Sequence, residues 1–129
     1  MDQPMTRPVS AARSGTSFSP YYCAGDFVFL SGQAAVDEDG RIVPGTFEEE
    51  MRRSIENVRS ILGGLGLRLS DVVKVGAYVQ DPADLVEYNR IYREYFAEPL
   101  PARTTLTSCL GDVVKFEIDV VAFSGGGPS

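Results

Sequence analysis

The sequence predicts an α+β domain in which two helices cover one face of a five-stranded sheet, with elements in the order ββ-α-β-α-ββ. Three observations carry this reading. Residues 46–65 and 81–96 repeat apolar side chains every three or four positions, the spacing of one helical face. Residues 71–80 and 113–123 alternate with a period of two, as a strand with two unlike faces does. The stretch PYYCAGDFVFLSGQAAV places strong β formers on either side of Ala24-Gly25-Asp26, which reads as a hairpin turn.

The elements follow in chain order. Residues 1–16 are rich in Pro, Ser, Arg and Ala without a period and read as a flexible arm; 17–123 form one domain; SGGGPS at 124–129 reads as a flexible tail. In the second strand, glycine within Ser31-Gly32-Gln33 predicts a bulge or a close backbone approach. DEDGRIVPG is a turn-rich connection. Thr46 caps the first helix, and Glu49 three residues on completes a capping box. Phe47, Met51, Ile55, Val58, Leu62 and Leu65 form its core stripe, Glu48–Glu50 favour the positive end of the helix dipole, and Gly63, Gly64 and Gly66 end it. In DVVKVGAYVQ, Val73, Val75, Ala77 and Val79 are expected on one face and Val72, Lys74, Gly76 and Tyr78 on the other. Asp81 caps the second helix and Pro82 enters its first turn. Leu85, Tyr88, Tyr92, Tyr95 and Phe96 form its buried face, an aromatic stripe that reads as core.

PARTTLTSCL and VVKFEIDVVAF close the domain as strands. In the last, Val114, Phe116, Ile118, Val120 and Ala122 make an apolar face opposite Lys115, Glu117, Asp119, Val121 and Phe123. A helix between strands favours parallel, right-handed crossovers. Two helices can cover only one sheet face. The other mixes Tyr78, Val121 and Phe123 with Lys74, Glu117 and Asp119, too apolar for open water and too polar for a monomer's core, which predicts a homo-oligomer.

A chain of 129 residues suits one domain, and a domain of this size buries roughly two-thirds of its unfolded surface. The net charge is −6 and no Lys/Arg run exists, which disfavours nucleic-acid backbone binding. No apolar stretch approaches a membrane span, and the start has no apolar signal-peptide core, so a cytoplasmic protein is expected. Cys23 and Cys109 match no metal spacing and are expected reduced and buried. The chain has no histidine, which removes Ser-His-Asp and Cys-His triads and histidine-ligated metals. Chemistry then falls to carboxylates, arginine, hydroxyls, amides or backbone.

Arg103 stands out first. Pro99 and Pro101 restrict the residues before them, so Arg103 is set with little freedom at a strand start. A planar guanidinium there can grip a carboxylate through two parallel hydrogen bonds, or make a surface ion pair. Glu117 points away from the helices. A carboxylate on a semi-apolar face can have a raised pKa and hold or activate a water, or pair with a cross-strand cation. Tyr21, Ser31 and Asn89 are candidates for hydrogen bonding. GGLG at 63–66 lacks the strand-turn-helix setting of a phosphate loop.

SPYY, FLSGQAAV, RSIENVRSIL, DVVKVGAYVQD, YNRIYREYF, PART and VKFEIDVVAF, in this order and spacing, resemble the RidA/YjgF family of imine deaminases over about residues 18–123. The resemblance implies a chorismate-mutase-like fold, a homotrimer whose sheets pack into a central barrel, and sites in the clefts between subunits. It also implies that Arg103 holds a substrate carboxylate and that Glu117 positions a water. Tyr21, Ser31 and Asn89 take substrate-binding positions, as does Thr105, which replaces the cysteine common two residues after the arginine. Thr104 and CLGD also depart from the family pattern and alter the pocket wall, and Cys109 is not the family's cysteine. The implied reaction is cofactor-independent hydrolysis of 2-iminopropanoate or 2-iminobutanoate to a 2-keto acid and ammonia. A deaminase of a larger intermediate such as 2-aminomuconate, and a non-catalytic trimer that binds small carboxylates, remain as alternatives.

Overall fold

Strands β1 (Tyr21–Ala24), β2 (Phe27–Gln33), β3 (Val72–Val79), β4 (Ala102–Thr107) and β5 (Phe116–Phe123) form one sheet in the order β1-β2-β5-β3-β4. Helices α1 (Phe47–Gly64) and α2 (Leu85–Tyr95) lie between β2 and β3 and between β3 and β4. The computed structural model describes residues 17–125; the arm expected at 1–16 and residues 126–129 of the tail lie outside them. Ser124, expected to start the tail, donates its backbone N–H and its hydroxyl to the Asp26 carbonyl at 2.7 and 3.1 Å. Among the described residues no helix is long and apolar enough to cross a membrane.

The hairpin closes over two residues, Gly25 and Asp26, since Ala24 pairs with Phe27. Gly25 holds φ +59°, which glycine adopts without steric cost. β3 and β4 are parallel with α2 between them, as the crossover predicts. The expectation is incomplete for α1: β2 and β3 are not neighbours, because β5 inserts between them antiparallel to both. The final strand is thus the centre of the sheet.

α1 begins as expected. Thr46 accepts from the Glu49 N–H at 3.1 Å and Glu49 returns to the Thr46 N–H at 2.8 Å. Phe47, Met51, Ile55, Val58 and Leu62 are buried against the sheet, each worth about 1.5–3 kcal/mol of transfer free energy. Gly66 takes φ +77° just beyond the helix. Asp81 caps a 3-10 turn, Pro82–Asp84, that leads into α2, so the regular helix starts at Leu85. Tyr88, Ile91, Tyr92 and Phe96 are its buried residues; Ile91 joins the expected aromatic stripe, while Leu85 and Tyr95 are only partly buried.

Three local expectations are corrected. Val73 is exposed and Val72 buried, the reverse of the predicted faces. Between Val72 and Lys74 the pairing to β5 slips by one residue, and such a bulge inverts the alternation on one side of it. β5 starts at Phe116 rather than 113. Lys115 turns back toward α1, donating its backbone N–H (2.9 Å) and ammonium (3.3 Å) to the buried Glu50 carboxylate. Cys23 is half-buried and Cys109 exposed, the latter because it lies in the loop after β4.

Candidate functional site

Register decides which side chains share a side of the sheet. Val28, Leu30, Val75, Ala77, Val79, Phe116, Ile118 and Val120 are buried under the helices. On edge strand β4, Arg103 pairs with Val75 and Thr105 with Ala77, so both face the helices. On β5, Glu117 and Asp119 alternate with the buried Phe116, Ile118 and Val120, so both face away. Arg103 and Glu117 therefore occupy opposite faces of one sheet, and one protomer cannot present both to one small molecule.

On the helix side, Arg103 is exposed at the edge, and its guanidinium lies over two rings of α2. Its central carbon is 5.0 Å from the Tyr88 ring centre and 4.6 Å from that of Tyr92. The two tyrosines are four residues apart and so share a helical face. The Tyr88 hydroxyl shares a 2.6 Å hydrogen bond with Thr105 Oγ1. Burial raises the pKa of both phenols, that of Tyr92 to about 12, and the neighbouring Arg103 charge pulls both part of the way back. Both are neutral at ordinary pH. Among the described residues Arg103 forms no ion pair with a carboxylate. What results is a fixed cation with its charge uncompensated, suited to a planar anion. The helical stripe alone marks Tyr88 and Tyr92 as core. The available signal was the choice of aromatic over aliphatic residues on the stripe that faces an arginine-bearing strand.

On the open face, Glu117 is half-buried and its carboxyl is raised above the usual range, first by desolvation and then by the Asp119 charge. The expected bulge occurs between Leu30 and Gln33. So does the close approach, since a Cβ on Gly32 would overlap Glu117 Oε2. Gly76 likewise leaves room for the 2.6 Å hydrogen bond from the Tyr78 hydroxyl to Asp119; a Cβ there would stand 2.6 Å from Asp119 Oδ1 and 2.9 Å from Tyr78 Oη. That bond is the first cause raising the Tyr78 pKa to about 12. A raised carboxyl beside small residues can hold a water and accept its proton. Tyr22, Phe27, Phe29, Leu106 and Phe123, all large and exposed, share this open face.

The remaining candidates are dispersed. Ser31 lies in the bulge near Gly32, with its hydroxyl donating to Ser19 O at 2.5 Å. Tyr21 is buried in the core on β1, at the sheet edge opposite Arg103. Asn89 donates its amide to Leu85 O within its own helix at 3.2 Å. The structure thus brings Thr105 to Arg103 and Ser31 to the Glu117 side, and places Tyr21 with neither. Among the described residues no group of three or more acidic or cysteine side chains is arranged to hold a metal ion. A groove of about 830 Å³ runs between α1 and the chain from the β2 bulge onward; Gly32 lines it, but none of these six residues does.

Comparison with known proteins agrees with this fold. The family model described as Endoribonuclease L-PSP matches residues 9–124. A RutC family protein of Pyrococcus abyssi is 42% identical over 101 residues, covering 77% of this chain and 80% of that protein. A Capra hircus protein named 2-iminobutanoate/2-iminopropanoate deaminase is 29% identical over 130 residues, covering 97% of this chain and 95% of that one. The crystal structure of yeast Mmf1 superposes with a TM-score of 0.79 at 29% identity, covering 91% of this chain and 94% of that one. The chain belongs to the endoribonuclease L-PSP family, the RidA-type proteins that the sequence resembles.

Proposed function

We propose that this member of the L-PSP family is a cytoplasmic hydrolase of small 2-imino acids, of the 2-iminopropanoate or 2-iminobutanoate type, and that it works as a homotrimer. The observation that supports the reading most is Arg103, an uncompensated cation fixed over two neutral tyrosine rings at an exposed sheet edge. A 2-imino acid offers it a carboxylate conjugated with the reacting C=N, so two parallel hydrogen bonds to Arg103 would orient the electrophilic carbon as well as bind it. A relative named for this reaction spans nearly the whole chain.

Assembly supplies the second half. Arg103 faces the helices and Glu117 the open side, so the site forms where the β4 edge of one copy meets the open face of the next. The exposed Phe29 and Phe123 on that face favour its burial against other copies. In the cleft, Glu117 takes a proton from water as the oxygen bonds to the imine carbon and the C=N π pair moves to nitrogen. Ser31 Oγ donates to Ser19 O and keeps lone pairs that accept an N–H of the protonated imine. Glu117 then returns that proton to the carbinolamine nitrogen; the C–N bond breaks as an oxygen lone pair forms C=O, ammonia leaves, and Glu117 takes the hydroxyl proton and passes it to solvent. A protonated imine is already an electrophile, so the step asks for no cofactor.

The family's name also raises RNA cleavage, which the acidic net charge and the carboxylates of the open face disfavour. The reading is tested with 2-iminopropanoate generated in place by an amino-acid oxidase while semicarbazide competes for the imine. Wild-type protein is expected to speed pyruvate formation and Arg103→Ala to lose the effect. No acceleration by a folded oligomer would overturn this substrate assignment.

A further inference from the structure

An exposed arginine on an edge strand ordinarily sweeps through many rotamers and loses that freedom when it binds. Arg103 is held from below. Tyr88 and Tyr92 are almost fully buried, 1% and 5% exposed, so their rings cannot swing away. Tyr92 is itself stacked on Phe96, with ring centres 4.6 Å apart at 27°. Tyr88 packs on Phe116 at 6.0 Å, and its hydroxyl is tied at 2.6 Å to Thr105, two residues beyond Arg103 on the same strand and the same face. The strand that carries the arginine thus also carries the hydroxyl that anchors the ring beneath it. Neutral phenols also leave the guanidinium charge available, whereas a phenolate at either position would compete with an anion for it.

We infer that Tyr88 is a positioning residue for Arg103: its ring, pinned by Thr105 and paired with Tyr92, holds the guanidinium by one face and leaves its N–H edge to the incoming carboxylate. This inference rests on Arg103 as the carboxylate-binding group. It also gives Thr105 a role different from the substrate contact that the resemblance implies, since its hydroxyl is engaged with Tyr88. A ring lost from beneath a cation weakens the contact by about 0.5–2 kcal/mol, a change of roughly 2- to 30-fold in binding.

The test measures two quantities on the full-length protein. One is the dissociation constant for pyruvate, a small 2-oxo acid that carries the same carboxylate. The other is the ¹⁵N–¹H NMR signal of Arg103 Nε without ligand, which a ring beneath the guanidinium shifts and slows. Tyr88→Leu is expected to raise the pyruvate constant about tenfold, to leave kcat within about threefold, and to move the Arg103 signal toward that of a solvated arginine. Tyr88→Phe keeps the ring and loses the anchor, and so falls between. Combining it with Thr105→Val adds little further loss, because both changes break one bond. Val28→Ala, a core change on β2, three positions from β4 in the sheet, lowers the melting temperature and leaves both readouts unchanged. Wild-type pyruvate binding retained in Tyr88→Leu, or weakened equally by Val28→Ala, would overturn the inference and leave the imine reading standing. Failure of pyruvate to bind the wild-type oligomer would overturn the carboxylate site itself, and this inference with it.

Discussion

Gly32→Ala separates the position of Glu117 from its presence. A Cβ at residue 32 would overlap Glu117 Oε2 and stand 3.0 Å from Cδ and 3.4 Å from Cγ, so the carboxylate must swing aside by roughly an ångström. Stability should barely change. The clashing atom is the far end of a flexible side chain, and moving it off its rotamer costs about 0.5–1.5 kcal/mol. Gly32 does not hold a positive φ, so alanine fits the backbone and gains about 0.4–1 kcal/mol by restricting the unfolded chain. The two nearly cancel, and the melting temperature should stay within about 4 °C of wild type. Catalysis should not be spared, since a 1 Å misplacement of a reacting group costs about 100-fold, or about 2.7 kcal/mol of barrier. The assay is pyruvate formation from 2-iminopropanoate beside a thermal melt of the same sample, with Glu117→Gln as companion. A folded Gly32→Ala oligomer with kcat within threefold of wild type would refute the claim that the carboxylate must sit where the bulge puts it.

Other perturbations address other parts. Asp119 raises the Glu117 carboxyl as its second cause after desolvation, so the acid limb of the kcat profile should lie above the ordinary glutamate range and move down in Asp119→Asn; an unmoved limb would assign it to another group. A carboxyl raised in the fold contributes stability that is present below its unfolded pKa and lost as pH rises through its folded one. Glu117→Gln should therefore be more stable than wild type at pH 7, with the gap closing below about pH 4, as urea melts across pH would read. Glu50 is 3% exposed and accepts from the Gly45 and Lys115 backbone N–H groups at 3.1 and 2.9 Å, and from the Lys115 ammonium at 3.3 Å. Glu50→Ala strands two backbone donors and should cost about 3 kcal/mol in chemical denaturation. Val121→Asp puts a charge at the centre of the open face. On the proposed assembly, sedimentation velocity should show an oligomer for wild type and a monomer for Val121→Asp, with imine hydrolysis falling alongside; a monomeric wild type would refute the assembly.

What the sequence disclosed divides along physical lines. α1 was legible to the residue at its cap, because the Thr46–Glu49 box and the apolar stripe are local, and local contacts need no knowledge of the partner. The inverted faces at Val72 and Val73 were not legible, because a bulge is a property of two paired strands and only β5 reveals the slip. The candidate site shows the same limit. Alternation placed Glu117 away from the helices, since Phe116 and Ile118 on either side of it are plainly core. The same reasoning could not place Arg103: the other residues of β4 are Ala102, Thr104, Thr105, Leu106 and Thr107, which alternate in no clear way, and the face is decided by pairing with Val75. Parity is readable within a strand; between strands it needs register. Once register is known, the two residues best suited to the chemistry stand on opposite sides of one sheet, each with a built surround: aromatic rings under the cation, glycines beside the acid. Neither surround explains the stability of a lone protomer. The desolvated Glu117 carboxylate amid exposed Phe29 and Phe123 costs free energy in a lone protomer, while the exposed Arg103 makes no ion pair among the described residues; in the proposed assembly an edge and a face from different copies would close on an anion and use both.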